Sequence, residues 1–586
     1  MRKFPMKSEI GKAHKRPGGI RVWMFLLILI GPNIFAGVAR SQQLDPFHYR
    51  VTKDTIVSLG AVASAHPLAS EIGLEILRKG GNAVDAAIAV QLALAVVFPG
   101  AGNIGGGGFM VAHLKSGENF ALDYREEAPG RASRDMYLDS SGNPLASRSQ
   151  DGPLSCGVPG TVAGLWEAHR FGVLPFRDLV QPAIELASKG FAITRQEAST
   201  LNSFQGDFRK FNSVTPVFVR THPWKAGDTL VQPELSHTLE LIRDRGARGF
   251  YEGETAKKIV SEMKRDGGLI SLADLAGYRA RFRKPILFPY KDKTILTMPL
   301  PSSGGIMIQQ MLGMIQDEDL DRMDFDSPTA VQLMTEVERR SFADRAKFLG
   351  DPDFVRVPVD ALVSPAYLKK RMADYEPLKA TPSRDVQAGA PTGEQEETTQ
   401  ISILDGSGNA VSVTYTLNGW YGSRIVVGHA GFFLNDEMDD FSAKPGSPNM
   451  FGLVGAKANE IAPHKRMLSS MTPTIVLKAG QPFLVTGTPG GSTIITSVFQ
   501  TLVDVLDFQL PLKEAVDAPK FHEQWLPDVL FLEQGFPDST RKALENMGYQ
   551  TRMRGSIGAV EAIERTPDGK IEAVADRRGN DTALGF

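Results

Sequence analysis

The stretch "NAVDAAIAVQLALAVV" (residues 82–97) carries a single charge, Asp85, and that charge falls in its first turn. A helix with no polar stripe cannot lie on a surface, so neighbouring elements must cover it on every side. The preceding "PLASEIGLEILRKGG" reads as a first helix closed by Gly80 and Gly81, with Asn82 as the cap of the second. A core is therefore laid down within the first hundred residues, and the rest of the chain must supply its walls. At 586 residues the chain is long enough for a large layered α/β body or for several smaller domains. Apolar and charged contents of 42% and 23% are those of an ordinary globular protein. The net charge of −2 provides no general field for a nucleic acid or an anionic membrane, and no nucleic-acid partner is expected.

The N-terminus reads as an export signal. Lys and Arg are frequent over Met1–Arg21, "VWMFLLILI" (Val22–Ile30) is a compact apolar block, and small residues follow near Gly37 and Ala39. A membrane anchor is the alternative, but spanning takes roughly 20 apolar residues and Gly31-Pro32-Asn33 interrupts the run. Residues 1–39 are expected to be a signal peptide, without stable membrane insertion of the mature chain. One cysteine, Cys156, excludes an intrachain disulfide. Export without a disulfide suits a periplasmic or secreted bacterial protein. Cys156 lies in "SCGVPG" with no matching His motif, so a buried structural thiol is expected rather than a nucleophile. "GNIGGGG" lacks the Gly-Lys-Ser/Thr ending of a phosphate loop and follows a helix. The ten histidines show no metal-ligand spacing. Neither a metal nor another cofactor is expected.

The middle of the chain, about Leu174 to Phe348, reads as mainly helical, and Glu376–Glu397 reads as a flexible linker rich in Pro, Gly and acids. Two hairpin signatures follow, "TTQISILD-GSGN-AVSVTYTLN" and "PTIVLK-AGQ-PFLVTGT", and then a helix with Ser492 as its N-cap. Paired sheets with helices supplied from elsewhere suggest a layered α+β sandwich. The first hairpin begins abruptly on Thr398 and Thr399. If the chain is cut between Glu397 and Thr398, Thr398 gains an α-amino group beside its own hydroxyl. That amine has a pKa of about 8, so it can accept and return the hydroxyl proton. A threonine pair at a strand start is otherwise an ordinary structural feature.

The run "TTQISILDGSGNAVSVTYTLN", with "GFFLNDEMDDFSAKPGSPNMFGLVG", "HKRMLSSMTPTIVLKAG" and "LVTGTPGGS", closely resembles the small subunit of the gamma-glutamyltransferases. The upstream "GNIGGGGFM", "LDYREEAPGRASRDMYLD", "GVPGTVAG", "PSSGG" and "ADRAKFLGDPDF" resemble the large subunit, in the same order. The resemblance implies the N-terminal nucleophile hydrolase superfamily and a four-layer αββα sandwich formed jointly by two subunits cut from one precursor. These would be a large subunit (40–397) and a small subunit (398–586). It implies Thr398 as nucleophile, Glu397–Thr398 as the processing bond, and Thr416 as the threonine whose hydroxyl bonds the nucleophile. Gly490 and Gly491 match the oxyanion hole. Arg125, Ser469 and Ser470 match the site for the donor's α-carboxylate, where a planar guanidinium fork outperforms a lysine. Asn418, Glu437 and Asp440 match the ammonium site. Without the family, Arg125 reads as a surface arginine paired with Glu126 or Glu127, and "NDEMDDF" as an acidic turn.

"KPGSPNMFGLVG" (Lys444–Gly455) resembles the lid loop, with Phe451 where some members place a tyrosine that latches onto the site asparagine. Gln400, where many members have histidine, is a second departure, and Glu437 in place of a glutamine is a third. The resemblance implies cleavage of the gamma-glutamyl amide of glutathione and related compounds, with transfer to water, amino acids or dipeptides. A cephalosporin or glutaryl acylase is a related alternative, and a non-catalytic gamma-glutamyl-binding protein another. An intact ammonium cluster argues against the first, and intact Thr398 and Gly490-Gly491 against the second.

Overall fold

A computed structural model describes residues 44–386 and 398–586, apart from Asp266 and Asp319. The expected signal peptide, Glu397 and the stretch 387–397 of the expected linker lie outside the described residues. Two seven-stranded antiparallel sheets lie face to face. One runs Asp54–Val57, Ile571–Ala575, Glu561–Arg565, Gln481–Gly487, Thr474–Lys478, Lys293–Thr297, Ile286–Tyr290. The other runs Thr582–Gly585, Gly60–Ser64, Thr399–Asp405, Ala410–Thr416, Gly107–His113, Asn119–Tyr124, Arg281–Arg283. Helices Pro67–Arg78 and Ala83–Val97 cover the outer face of the second sheet, and Gly304–Ile315, Thr493–Leu506 and Leu512–Asp517 the outer face of the first. The architecture is the expected α+β four-layer αββα sandwich.

The apolar helix behaves as its sequence requires. All of Ala83–Val97 is buried, and Asn82 and Asp85 form a reciprocal capping box. Its neighbours in the core include Ile401, Ile403, Val411, Val413 and Tyr415, one face of the hairpin that begins after Thr398. The opposite face of that hairpin meets the other sheet and is polar but satisfied. Ser402 Oγ donates to the Glu561 carbonyl at 2.9 Å, Ser412 Oγ to the Thr486 carbonyl at 2.9 Å, and Thr414 Oγ1 to Gln400 Oε1 at 2.7 Å. Gln400 also donates to Ser412 Oγ at 3.0 Å, so its side chain bridges the two strands of the hairpin. The glycine run has a steric cause: a Cβ on Gly106 would stand 2.0 Å from the Thr416 carbonyl oxygen. Glycine there lets the strand Gly107–His113 come down beside the hairpin.

Both expected hairpins form, the second with a register shift between Val476 and Leu477, and three expectations change. The middle of the chain also contributes a hairpin, Ile286–Tyr290 and Lys293–Thr297, which completes the first sheet. Its short alternating strands are flanked by basic residues and carry no strong turn signal. Residues 376–386, read as the start of a linker, are strapped to the body. Gln332 Nε2 donates to the Glu376 and Lys379 carbonyls, Ala380 N to the Met547 carbonyl, and Trp525 Nε1 to the Ser383 and Val386 carbonyls. These main-chain bonds do not depend on the side chains by which a linker is recognised. Ser492 occupies the N-cap position but adopts helical φ/ψ and makes no side-chain cap bond; its Oγ faces His522 Nε2 at 3.3 Å.

Candidate active site

Thr398 is 5% exposed and opens the edge of the hairpin strand. Its Oγ1 donates to Thr416 Oγ1 at 3.4 Å, across the hairpin, and Thr416 Oγ1 also accepts from Asn418 N at 2.8 Å. Gly490 (φ 134°) and Gly491 (φ 51°) stand beside Thr398, just ahead of the helix Thr493–Leu506, in backbone conformations that favour glycine. They present N–H groups at a helix N-terminus, the arrangement that stabilises a developing oxyanion. A small cavity is lined by Arg125, Thr398, Thr416, Asn418, Glu437, Asp440, Phe451, Ser469, Ser470 and Gly491. On its other side Thr398 opens, with Gly490, onto a wide groove lined also by Trp420, Arg554 and Asn580. Every residue that the sequence nominates for the site, Glu397 aside, lines one of these two spaces.

The small cavity is divided by charge. Arg125, fully buried, donates through Nη1 to Glu437 Oε1 and through Nη2 to Asp440 Oδ2 (2.5 Å), while its Nε donates to the Met467 carbonyl at 3.2 Å. Burial opposes the guanidinium charge, but Glu437, Asp440 and Glu126 more than offset it and raise the Arg125 pKa. Burial pushes the Glu437 carboxyl up to about 7 against the pull of Arg125, and raises Asp440 as well. Glu437 Oε2 is buried without a hydrogen-bond partner among the described residues, an acceptor left for a ligand. Glu126 Oε2 lies 3.5 Å from Arg125 Nη1, ion-pair distance, yet both its oxygens are orphaned and burial holds the carboxyl well above its ordinary range.

The opposite wall is neutral and donor-rich. Ser469 Oγ accepts from Met471 N at 3.1 Å, and Ser470 Oγ accepts from Arg345 Nη2 at 3.2 Å. A hydroxyl whose oxygen is already an acceptor keeps its proton for another partner. The segment 444–455, expected to form a lid, borders this cavity through Phe451. Asn418 Nδ2 donates to Met450 Sδ at 3.3 Å and Met450 N to Asp439 Oδ2 at 2.8 Å. Asn449 Nδ2 donates to Asp440 Oδ1 at 2.9 Å and Gln524 Nε2 to the Phe451 carbonyl at 3.1 Å. The latch that Phe451 cannot provide as a phenol is replaced by its own main-chain carbonyl and a neighbouring thioether.

Sequence reasoning missed Arg345, Met450 and Gln524. Arg345 lies inside a quoted motif, but on a charged helix that reads as solvent-facing. Gln524 carried no signal. Cys156 is buried as expected, and desolvation pushes its thiol up to about 12. Among the described residues no cluster could hold a metal ion, and no helix is long and apolar enough to cross a membrane.

The family model described as gamma-glutamyltranspeptidase matches residues 69–586. The chain is 46% identical over 562 residues to the glutathione hydrolase proenzyme of Escherichia coli (strain K12), covering 94% of this chain and 97% of that one. It is 47% identical over 539 residues to the glutathione hydrolase proenzyme of Pseudomonas aeruginosa, covering 90% and 94%. In fold it is similar to a cephalosporin acylase from Bacillus halodurans, with a TM-score of 0.79 at 24% identity over 93% of this chain and 98% of that one. The sandwich is of the N-terminal nucleophile hydrolase type, and the chain belongs to the gamma-glutamyltranspeptidase family.

Proposed function

We propose that this chain is a self-processing gamma-glutamyltransferase and glutathione hydrolase. Cleavage ahead of Thr398 exposes the amine that acts as base for its own Oγ1, and Thr416 orients that oxygen through the 3.4 Å contact. A gamma-glutamyl donor enters the small cavity with its α-carboxylate toward Arg125, Ser469 and Ser470, and its α-ammonium toward Asn418, Glu437 and Asp440. Its two charges share the ion pairs that Arg125 makes in the empty site, so neither is desolvated alone. Oγ1 attacks the γ-carbonyl, and the Gly490 and Gly491 N–H groups receive the oxyanion. The amide C–N bond then breaks to give an ester on Thr398, and the amine takes its proton from the Thr398 α-ammonium. For glutathione the leaving group is cysteinylglycine, which departs through the open groove. Water entering there gives hydrolysis, and an amino acid or dipeptide amine gives transfer.

One observation carries the reading: Thr398 shares its cavity with the Arg125 guanidinium, the Ser469 and Ser470 hydroxyls and the orphaned Glu437 Oε2. An acylase substrate without an ammonium would leave that oxygen unpaired, which disfavours the acylase alternative. The large and small subunits (40–397 and 398–586), removal of 1–39 and a periplasmic or secreted location belong to the same proposal. The proenzyme naming of the relatives supports the processing step. Mass spectrometry of the purified protein tests it. The expected result is two fragments, one starting at Thr398, and a Thr398 adduct after treatment with a gamma-glutamyl-mimicking electrophile. Thr398→Ala should remain uncleaved and inactive. Active protein without a fragment starting at Thr398 would overturn the proposal.

A further inference from the structure

Behind the serine wall lies a second guanidinium to which the motifs assign no role. Arg345, near the end of the helix Pro328–Phe348, is 5% exposed and is not among the residues lining the cavity. Its Nη2 donates to Ser470 Oγ at 3.2 Å and its Nε to Ser303 Oγ at 2.9 Å. Ser303 is in turn tied to Ser469, whose carbonyl accepts from Ser303 Oγ at 2.7 Å and from Ser303 N at 2.8 Å. One side chain thus anchors both members of the serine pair, Ser470 by its hydroxyl and Ser469 through Ser303.

The direction of these bonds matters. Ser303 passes its proton on to Ser469, so it relays the anchor and ends there. Ser470 Oγ accepts from Arg345, and among the described residues its own proton finds no protein acceptor. That proton is left for whatever fills the cavity, and a guanidinium behind the oxygen makes the hydroxyl a stronger donor. The charge bookkeeping is equally unusual. Among the described residues Arg345 has no carboxylate partner at ion-pair distance. Burial lowers its pKa to about 10, partly offset by Asp440 and reinforced by Arg125, so it remains charged at neutral pH. Asp440 itself is already engaged by Arg125 and Asn449. A buried cation without a counter-ion is costly, and an anion bound at the serine wall would supply one.

We infer that Arg345 is a specificity-determining positioning residue, which reaches the donor's α-carboxylate through the Ser470 hydroxyl and supplies the second positive charge that Arg125 alone does not. The inference rests on the gamma-glutamyl reading of the cavity. It predicts that a donor lacking only the α-carboxylate is indifferent to Arg345.

The test compares L-γ-glutamyl-p-nitroanilide with 4-aminobutyryl-p-nitroanilide, its descarboxy analogue, on wild type, Arg345→Gln, Arg345→Lys, Ser470→Ala and the Arg345→Gln/Ser470→Ala double variant. Self-cleavage reports that each variant has folded. For Arg345→Gln, the loss in kcat/KM on the γ-glutamyl donor should exceed the loss on the analogue by about tenfold or more, carried mainly by KM. Arg345→Lys, which keeps the charge and loses the fork, should fall between wild type and Arg345→Gln. In the Ser470→Ala background the further loss from Arg345→Gln should shrink to about threefold or less, because the interaction passes through that hydroxyl. Equal losses on both donors, or losses that simply multiply in the double variant, would overturn the role of Arg345. If Arg345→Gln stays uncleaved, Arg345→Lys carries the same comparison. An uncleaved Arg345→Lys would also overturn the inference, since the side chain would then serve the fold. A wild-type enzyme that does not prefer the γ-glutamyl donor would instead overturn the reading of the cavity itself.

Discussion

Glu437 shows how burial tunes a single binding group. Its carboxyl is pushed up to about 7 by desolvation, although Arg125 pulls the other way. As the ammonium partner it works as the carboxylate, so donor capture weakens as pH falls through 7. The Thr398 amine, with an ordinary value of about 8, must also be unprotonated to act as a base. Two protons therefore act in the same direction, and log kcat/KM should fall with a slope approaching about 2 on the acid side. In Glu437→Gln, which keeps an acceptor oxygen and removes one titration, the acid limb should flatten to a slope of about 1. A pH–rate profile decides it: an unchanged slope would remove Glu437 from the ammonium site. At this scale much was readable in advance. Arg125, Thr416 and the acidic "NDEMDD" were identifiable through the family resemblance of their motifs, and the charges of a zwitterionic donor suit those residue types. Arg345 was not, because a charge on a helix looks solvated until the helix is seen to be buried.

At the scale of elements, the lid depends on contacts between segments distant in sequence. Gln524 holds the Phe451 carbonyl with its amide nitrogen and meets His522 Nε2 with its amide oxygen at 2.8 Å, and His522 Nε2 also faces Ser492 Oγ. Burial drives the His522 pKa down to about 3, so this relay stays neutral at working pH. It connects the segment 444–455 to the helix start that follows Gly490 and Gly491. Gln524→Leu removes the hydrogen bonds to the Phe451 and Leu526 carbonyls and to His522; the bond that holds the lid, to Phe451, is worth about 0.5–1.5 kcal/mol, so donor KM should rise by about 2- to 10-fold. Limited proteolysis within 444–455 should become faster. An unchanged KM and cleavage rate would show that the lid is held without Gln524. The lid segment was recognisable from its motif, but its fastening was not, since no local pattern marks the other side of a tertiary hydrogen bond.

Across the whole molecule, the proposed cut falls between elements that stay interleaved. In the second sheet, Gly60–Ser64 pairs with Thr399–Asp405 on one side and Thr582–Gly585 on the other, and Ala410–Thr416 pairs with Gly107–His113. In the first sheet, strands from both sides of the cut again alternate, Asp54–Val57 with Ile571–Ala575 and Lys293–Thr297 with Thr474–Lys478. Separating the pieces would break five ladders and open the shared core. Cleaved protein should therefore elute as one species on size exclusion in native buffer and separate only in denaturant. Dissociation in native buffer would contradict the interleaving. The sequence by itself determined the buried helix and both hairpins after residue 397, because hydrophobic period and turn chemistry are local properties, whereas the residues of the site were legible through the family resemblance of their motifs. Only the tertiary structure decided that the middle of the chain lends a hairpin to the first sheet, that residues 376–386 are strapped down, and that Arg345 and Gln524 stand behind the site. Each of these depends on which backbone and side-chain groups meet across hundreds of residues, and pairing at that distance leaves no periodic trace along the chain.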